Sequence, residues 1–131
     1  MRKDIQIPEV NDVYVAAVLE NNEQYHTDDW NIYIINDGLE PLELILIIAQ
    51  GYYTNAMTSH MRLKIDVLPA KGYAKIEFME NSVLRLNNFF SVTYFKGSTM
   101  YEKRWEFPTN SISVHNEVAL PVMTKKGVLA L

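Results

Sequence analysis

Apolar positions recur with period two along most of this chain, and turn residues interrupt them at spacings of about ten, a pattern that predicts an all-β sandwich or barrel. Val13 to Leu19 reads as the first strand. The arm before it, residues 1–12, holds Pro8 and suits an edge segment. In the second strand, Trp30 to Ile35, alternation puts Trp30, Ile32 and Ile34 on a core face and Asn31, Tyr33 and Ile35 on the other. Asn36-Asp37-Gly38 supplies the turn that follows. The next segment breaks the alternation, because Leu44 to Ala49 is apolar at every position. Strand side chains alternate between faces, so such a run needs cover on both sides. With Leu42, Leu44, Leu46 and Ile48 directed inward, Ile45, Ile47 and Ala49 form a second apolar face. It lies beside Tyr33 and Ile35 if the two strands pair.

Further strands are expected at Met61 to Val67, where Arg62, Lys64 and Asp66 form a wet face, and at Ala74 to Phe78, where Ala74, Ile76 and Phe78 point inward. The polar residues 52–60 between strands read as a mobile loop, and Asn81 to Leu86 as a helical turn. Phe89 to Phe107 is a hairpin around Gly97-Ser98, whose Gly suits the first central position of a type II′ turn. That turn fixes a register in which Tyr94 faces Tyr101, Val92 faces Lys103 and Phe90 faces Trp105. Four aromatics then share one side, while Ser91, Thr93, Glu102 and Arg104 share the other. Residues 111–131 form a tail that turns apolar again at Pro121-Val122-Met123 and Gly127 to Leu131.

Three segments carry a resemblance to a known group: Val13-Tyr14-Val15-Ala16-Ala17-Val18, Tyr33-Ile34-Ile35-Asn36-Asp37, and Leu68-Pro69-Ala70-Lys71-Gly72 with Tyr73 to Phe78. They resemble small uncharacterised immunoglobulin-like β-sandwich domains of Bacteroidetes bacteria, including the domain of unknown function attached to Smr-type relatives of MutS2 proteins. The resemblance covers most of residues 13–107. It implies an antiparallel immunoglobulin-like sandwich of about seven to nine strands and brings no catalytic residues with it.

A chain of 131 residues that is 48% hydrophobic suits a single domain spanning 1–131 with a core of its own. It has no cysteine, which excludes disulfides, thiolate metal sites and thiol nucleophiles. Met1-Arg2-Lys3-Asp4 is not followed by a signal core, and no apolar run approaches the roughly 20 residues of a membrane helix. The expected location is therefore cytoplasmic, away from membranes. A formal charge of −4 disfavours generic binding to phosphate backbones.

No motif of any strength announces chemistry. His26, Asp28 and Asp29 are the one compact set of candidate metal ligands, but a site would need further ligands from other strands, and the reading is of an ordinary polar loop leading into Trp30. Ser59-His60 and Ser113 with His115 lack a nucleophile elbow or an orienting acid, and Glu77 and Glu80 read as surface charges. The five glycines form no phosphate-cradling loop. The reading is of a protein that is not an enzyme and takes no cofactor. Lys96, Lys103 and Arg104 among Tyr94, Tyr101 and Trp105 leave single-stranded nucleic acid as an alternative partner, weakened by a register that sends the aromatics inward. A small-ligand or carbohydrate site built on Tyr52, Tyr53 and Trp30 is another.

The main expectation is a protein interaction or scaffold module. Its surface is placed at Tyr33, Ile35, Ile45 and Ile47, covered by Val128, Leu129 and Leu131 of the tail, by a second copy in a homodimer, or by a different protein.

Overall fold

The computed structural model describes residues 8–53, 56–57 and 61–131. They form β1 (Val13–Asn22), β2 (Thr27–Asn36), β3 (Leu42–Tyr53), β4 (Ala56–Met57), β5 (Met61–Leu68), β6 (Gly72–Met79), β7 (Asn87–Lys96), β8 (Thr99–Phe107), β9 (Val118–Ala119) and β10 (Lys126–Leu129). Helix among these residues is confined to two short 3-10 turns, Asn81–Val83 and Val114–Asn116. One sheet has the order β6-β2-β1-β10-β9; in the other, β3 lies between β5 and β7, with β4 beside its far end and β8 outside β7. All pairings are antiparallel. The chain runs β1-β2 in one sheet, crosses to β3 and β5, returns to β6, and crosses again to the β7-β8 hairpin. That is the Greek-key connectivity of an immunoglobulin-like sandwich, the form the resemblance implies within the sandwich or barrel that the alternating pattern predicts.

The inner faces of both sheets meet in one core, with Val15, Ile32 and Ile34 opposed by Ile45, Ile47, Phe90 and Tyr94. Trp30, Ile32 and Ile34 point inward as their spacing predicts, and Ile35 points the other way into a smaller cluster. The hairpin also follows its expected register, with Tyr94 paired to Tyr101, Val92 to Lys103 and Phe90 to Trp105. Gly97 has φ 61° while Ser98 keeps a negative φ, as a II′ turn requires. Inside, the Tyr94 and Tyr101 rings stack at 5.2 Å and Phe90 meets Phe107 edge to face at 5.9 Å. The Tyr94 hydroxyl is buried without a partner among the described residues, and burial pushes its pKa up to about 12.

Two bulges overturn the expected faces of β3 and β6. Leu42 is buried as expected, but Leu44 and Leu46 are 57% and 42% exposed, while Ile45 and Ile47 are fully buried. Pairing with β7 passes from Glu43–Phe95 to Leu46–Thr93, three steps along β3 against two along β7, so β3 carries one extra residue. Leu44 sits there at φ 51°. Because side chains alternate, one inserted residue exchanges inside and outside for everything beyond it. The neighbouring β5 switches in parallel: Met61, Leu63 and Ile65 pack on the core, then Val67 turns out and Leu68 turns in. In β6 the pairing passes from Ile32–Glu77 to Tyr33–Lys75, leaving Ile76 as the extra residue. Met79 rather than Phe78 then fills the core, and Glu77 lies at the open margin between the sheets instead of on the surface.

The tail stays with its own chain. β10 pairs with β1 through Ala16–Leu129 and Ala17–Val128, and the Ala130 amide donates to Val15 O at 2.9 Å. Leu131 and Glu106 of β8 then exchange both backbone hydrogen bonds, at 3.0 and 2.9 Å, so the tail spans from one sheet to the edge of the other. Leu120 and Met123 cap Ala16, Val18 and Ile35 on the outer face of the first sheet. Gly127 permits this closeness: a Cβ there would lie 2.6 Å from Ala17 O and 2.7 Å from Leu120 Cδ1.

Candidate functional site

Six of the seven expected surface residues are occupied by packing within the chain. Ile45, Ile47 and Val128 belong to the main core; Tyr33, Ile35 and Leu129 belong to the cluster under the tail; Leu131 is exposed. β2 pairs with β1 and β6, not with β3, so Ile45 and Ile47 never meet Tyr33 and Ile35 on one face. The opposite sheet covers the isoleucines.

The uncovered side of the apolar run is the outer face of the second sheet. Leu44 and Leu46 stand there with Val67 and Met100, 53% and 48% exposed, and with half-buried Phe95. Strand pairing makes these residues neighbours: Glu43 pairs with both Val67 and Phe95, Phe95 with Met100, and Leu46 with Thr93. Leu44, Val67 and Phe95 line a shallow apolar depression with Glu43 and Asp66 at its rim. Lys64 lies 3.9 Å from Asp66, so the border carries both signs of charge. The hairpin register already sends Phe95 and Met100 outward; the bulge at Leu44 has no comparable signal, because Leu is not a residue that favours positive φ.

Toward the far end of the same face the surface becomes aromatic and cationic. The Arg104 guanidinium lies 3.8 Å from the centre of the Phe89 ring, and Tyr52 meets Phe89 edge to face. Of the three aromatics in the oligonucleotide reading, Tyr94 and Trp105 are buried, and Tyr101 is partly buried and stacked on Tyr94, which weakens the case for a stacking platform there. Trp30 is buried too, so it offers no carbohydrate platform. Residues 54–55 and 58–60, including Ser59-His60 and most of the loop expected to be mobile, lie outside the described residues.

A polar cleft of about 700 Å³ opens on the outer face of the first sheet, beyond the part that the tail caps. Glu20 sits at its edge and accepts hydrogen bonds from Tyr33 Oη at 2.6 Å, Asn31 Nδ2 at 2.8 Å and Lys125 Nζ at 2.6 Å. Burial alone would raise the Glu20 pKa; these three donors outweigh it and hold the carboxyl below its usual range. Burial and the adjacent carboxylate push the Tyr33 hydroxyl well above its ordinary pKa. Deeper in, Asn22 Nδ2 donates to Asp29 Oδ2 at 3.3 Å, and Asn22 Oδ1 accepts from the Gln24 and Tyr25 amides. Asp28 accepts from Asn21. The two acids beside His26 are thus used to brace the β1-β2 hairpin, and no cluster of three metal-ligating side chains occurs among the described residues. Ser113 Oγ accepts from the His115 amide, which makes that pair a turn cap.

Comparison with family models, with curated proteins and with solved structures finds no match. Among the described residues no helix is long and apolar enough to cross a membrane.

Proposed function

We propose that this protein is a non-enzymatic interaction module that binds a protein partner through the apolar end of its second sheet's outer face. One observation carries the reading: Leu44, Leu46, Val67 and Met100 are all roughly half exposed, or more, on adjoining strands, and no segment of the described chain covers them. Full burial of a Leu or Met is worth about 1.5–3 kcal/mol, so a partner that covers these four gains several kcal/mol before the losses of association are met. That suits a reversible contact better than a permanent one. The border of Glu43, Asp66 and Lys64 gives such a contact an orientation.

The test compares the wild-type chain with a Leu46→Glu, Met100→Glu double variant in sedimentation velocity over a concentration series and in co-purification from the native cell. Both substitutions are at exposed positions, so the fold should survive, which circular dichroism checks. Self-association or capture of a defined partner by the wild type, abolished in the variant, supports the reading. Identical behaviour of the two chains defeats it.

A further inference from the structure

We infer that the polar cleft on the outer face of the first sheet is a binding site for a neutral oligosaccharide. The interaction face described above lies on the opposite sheet, so either reading can fail without the other. Three observations converge on the cleft.

First, an aromatic ring has been delivered to it at the expense of the core pattern. Period-two alternation through Ala74 and Ile76 would bury Phe78; the extra residue at Ile76 turns it outward instead, where it lines the cleft and is 49% exposed. Bulges re-aim side chains in this way. An exposed ring flanked by polar groups is what the C–H face of a pyranose stacks on.

Second, the hydrogen-bonding groups are braced but incompletely used. Asn31 donates through Nδ2 to Glu20, yet its Oδ1 is buried and has no partner among the described residues. Asp29 is held through Oδ2 by Asn22, with Oδ1 unengaged among the described residues. Lys75, on the same wall, has no carboxylate within ion-pair distance among the described residues. Amide and carboxylate acceptors beside an ammonium donor match adjacent sugar hydroxyls, each of which both donates and accepts. Leaving a buried acceptor unpaired is unfavourable, so a rotation of the Asn31 amide that turned Oδ1 toward a ligand hydroxyl in the cleft would be favoured.

Third, the charge selects among ligands. Glu20, Glu23 and Asp29 line the cleft with Lys75, and since Lys125 pairs with Glu20 from beside it, two acids to one base remain, a net negative charge that disfavours phosphates, uronic acids and nucleic acid. A neutral glycan meets no such penalty.

Affinity electrophoresis of the full chain through gels containing a soluble β-glucan, a xylan or a galactomannan tests this directly, with polygalacturonate as the acidic comparison. At least one neutral polysaccharide should retard the protein. Phe78→Ala should weaken that retardation roughly tenfold while the chain stays folded by circular dichroism, since the ring is half exposed. Asn31→Ala should weaken it as well, and amide shifts on titration should map to Asn22, Asn31 and Phe78. Absence of retardation by every neutral polysaccharide overturns the inference, as does retardation by polygalacturonate alone, or retardation that Phe78→Ala leaves intact.

Discussion

Leu44 holds a left-handed backbone conformation, φ 51°, that a β-carbon disfavours by roughly 1–2 kcal/mol, and its side chain is mostly in water. Leu44→Gly should relieve that strain. Against it stands the greater freedom of Gly in the unfolded chain, about 0.5–1 kcal/mol. The net expectation is a stabilisation of up to about 1 kcal/mol, seen in urea as a higher midpoint at unchanged slope. An ordinary strand residue would lose stability on the same change, so a lower midpoint contradicts the bulge. Glu77 makes the opposite kind of residue-scale statement. Burial at the margin of the sheets raises its pKa above the ordinary 4.5, with no compensating partner among the described residues. The folded chain therefore binds this proton more tightly than the unfolded chain, and stability falls as pH rises from 4.5 through the raised value. Glu77→Gln should melt at a higher temperature than wild type at pH 7, with the difference shrinking as the pH drops to about 4. A variant less stable than wild type at neutral pH would show that the carboxylate is paired after all.

At the scale of elements, the β7-β8 hairpin was legible because one residue, Gly97, fixes the turn and the turn fixes every pair that follows. β2 was legible for a simpler reason: its alternation is unbroken from Trp30 to Ile35. The faces of β3 and β6 were not legible, since each depends on a single inserted residue whose identity, Leu44 or Ile76, carries no turn preference. The expectation that the apolar run be covered on both sides holds only for the face that the opposite sheet takes, with Ile45 and Ile47 buried and Leu44 and Leu46 exposed, and alternation alone could not say which face that would be. The polar cleft was hidden for the same reason, because the bulge in β6 is what turns Phe78 outward. For β10 the sequence shows an apolar segment with a glycine and says nothing of its neighbour. In the fold, a β-carbon at position 127 would lie 2.6 Å from Ala17 O, and a backbone oxygen cannot move aside as a flexible side chain does. Gly127→Ala should therefore push β10 off β1 and destabilise the protein by roughly 2–3 kcal/mol. Hydrogen exchange checks it: the Val128 and Ala130 amides should lose protection well before those of β7.

The whole molecule is held closed by its tail, which pairs with β1, caps Ile35 with Leu120 and Met123, and exchanges two hydrogen bonds with Glu106 on the edge of β8. Each contact acts between segments distant in sequence, and together they occupy two strand edges that would otherwise be free to recruit other chains. The Lys125–Glu20 contact at 2.6 Å adds a polar fastening on the outer face. It weakens in acid, because Glu20 has a depressed pKa in the fold and its stabilisation is lost as pH falls through that value. Cutting the chain after Thr124 removes Lys125, the whole of β10 and the Leu131 bridge. The buried Val128 alone is worth about 1.5–3 kcal/mol, and the lost backbone hydrogen bonds about 1 kcal/mol each. The truncated chain should therefore melt far below the full one and scatter light as large, polydisperse species through the opened edges of β1 and β8. Association through the Leu44 face differs in kind: it is reversible, concentration-dependent, present in the full chain and abolished by Leu46→Glu, whereas edge aggregation of the truncated chain persists in that variant. A truncated chain that remains a monomer with an unchanged melting temperature would mean that the tail is an ornament on the sandwich, not its closure.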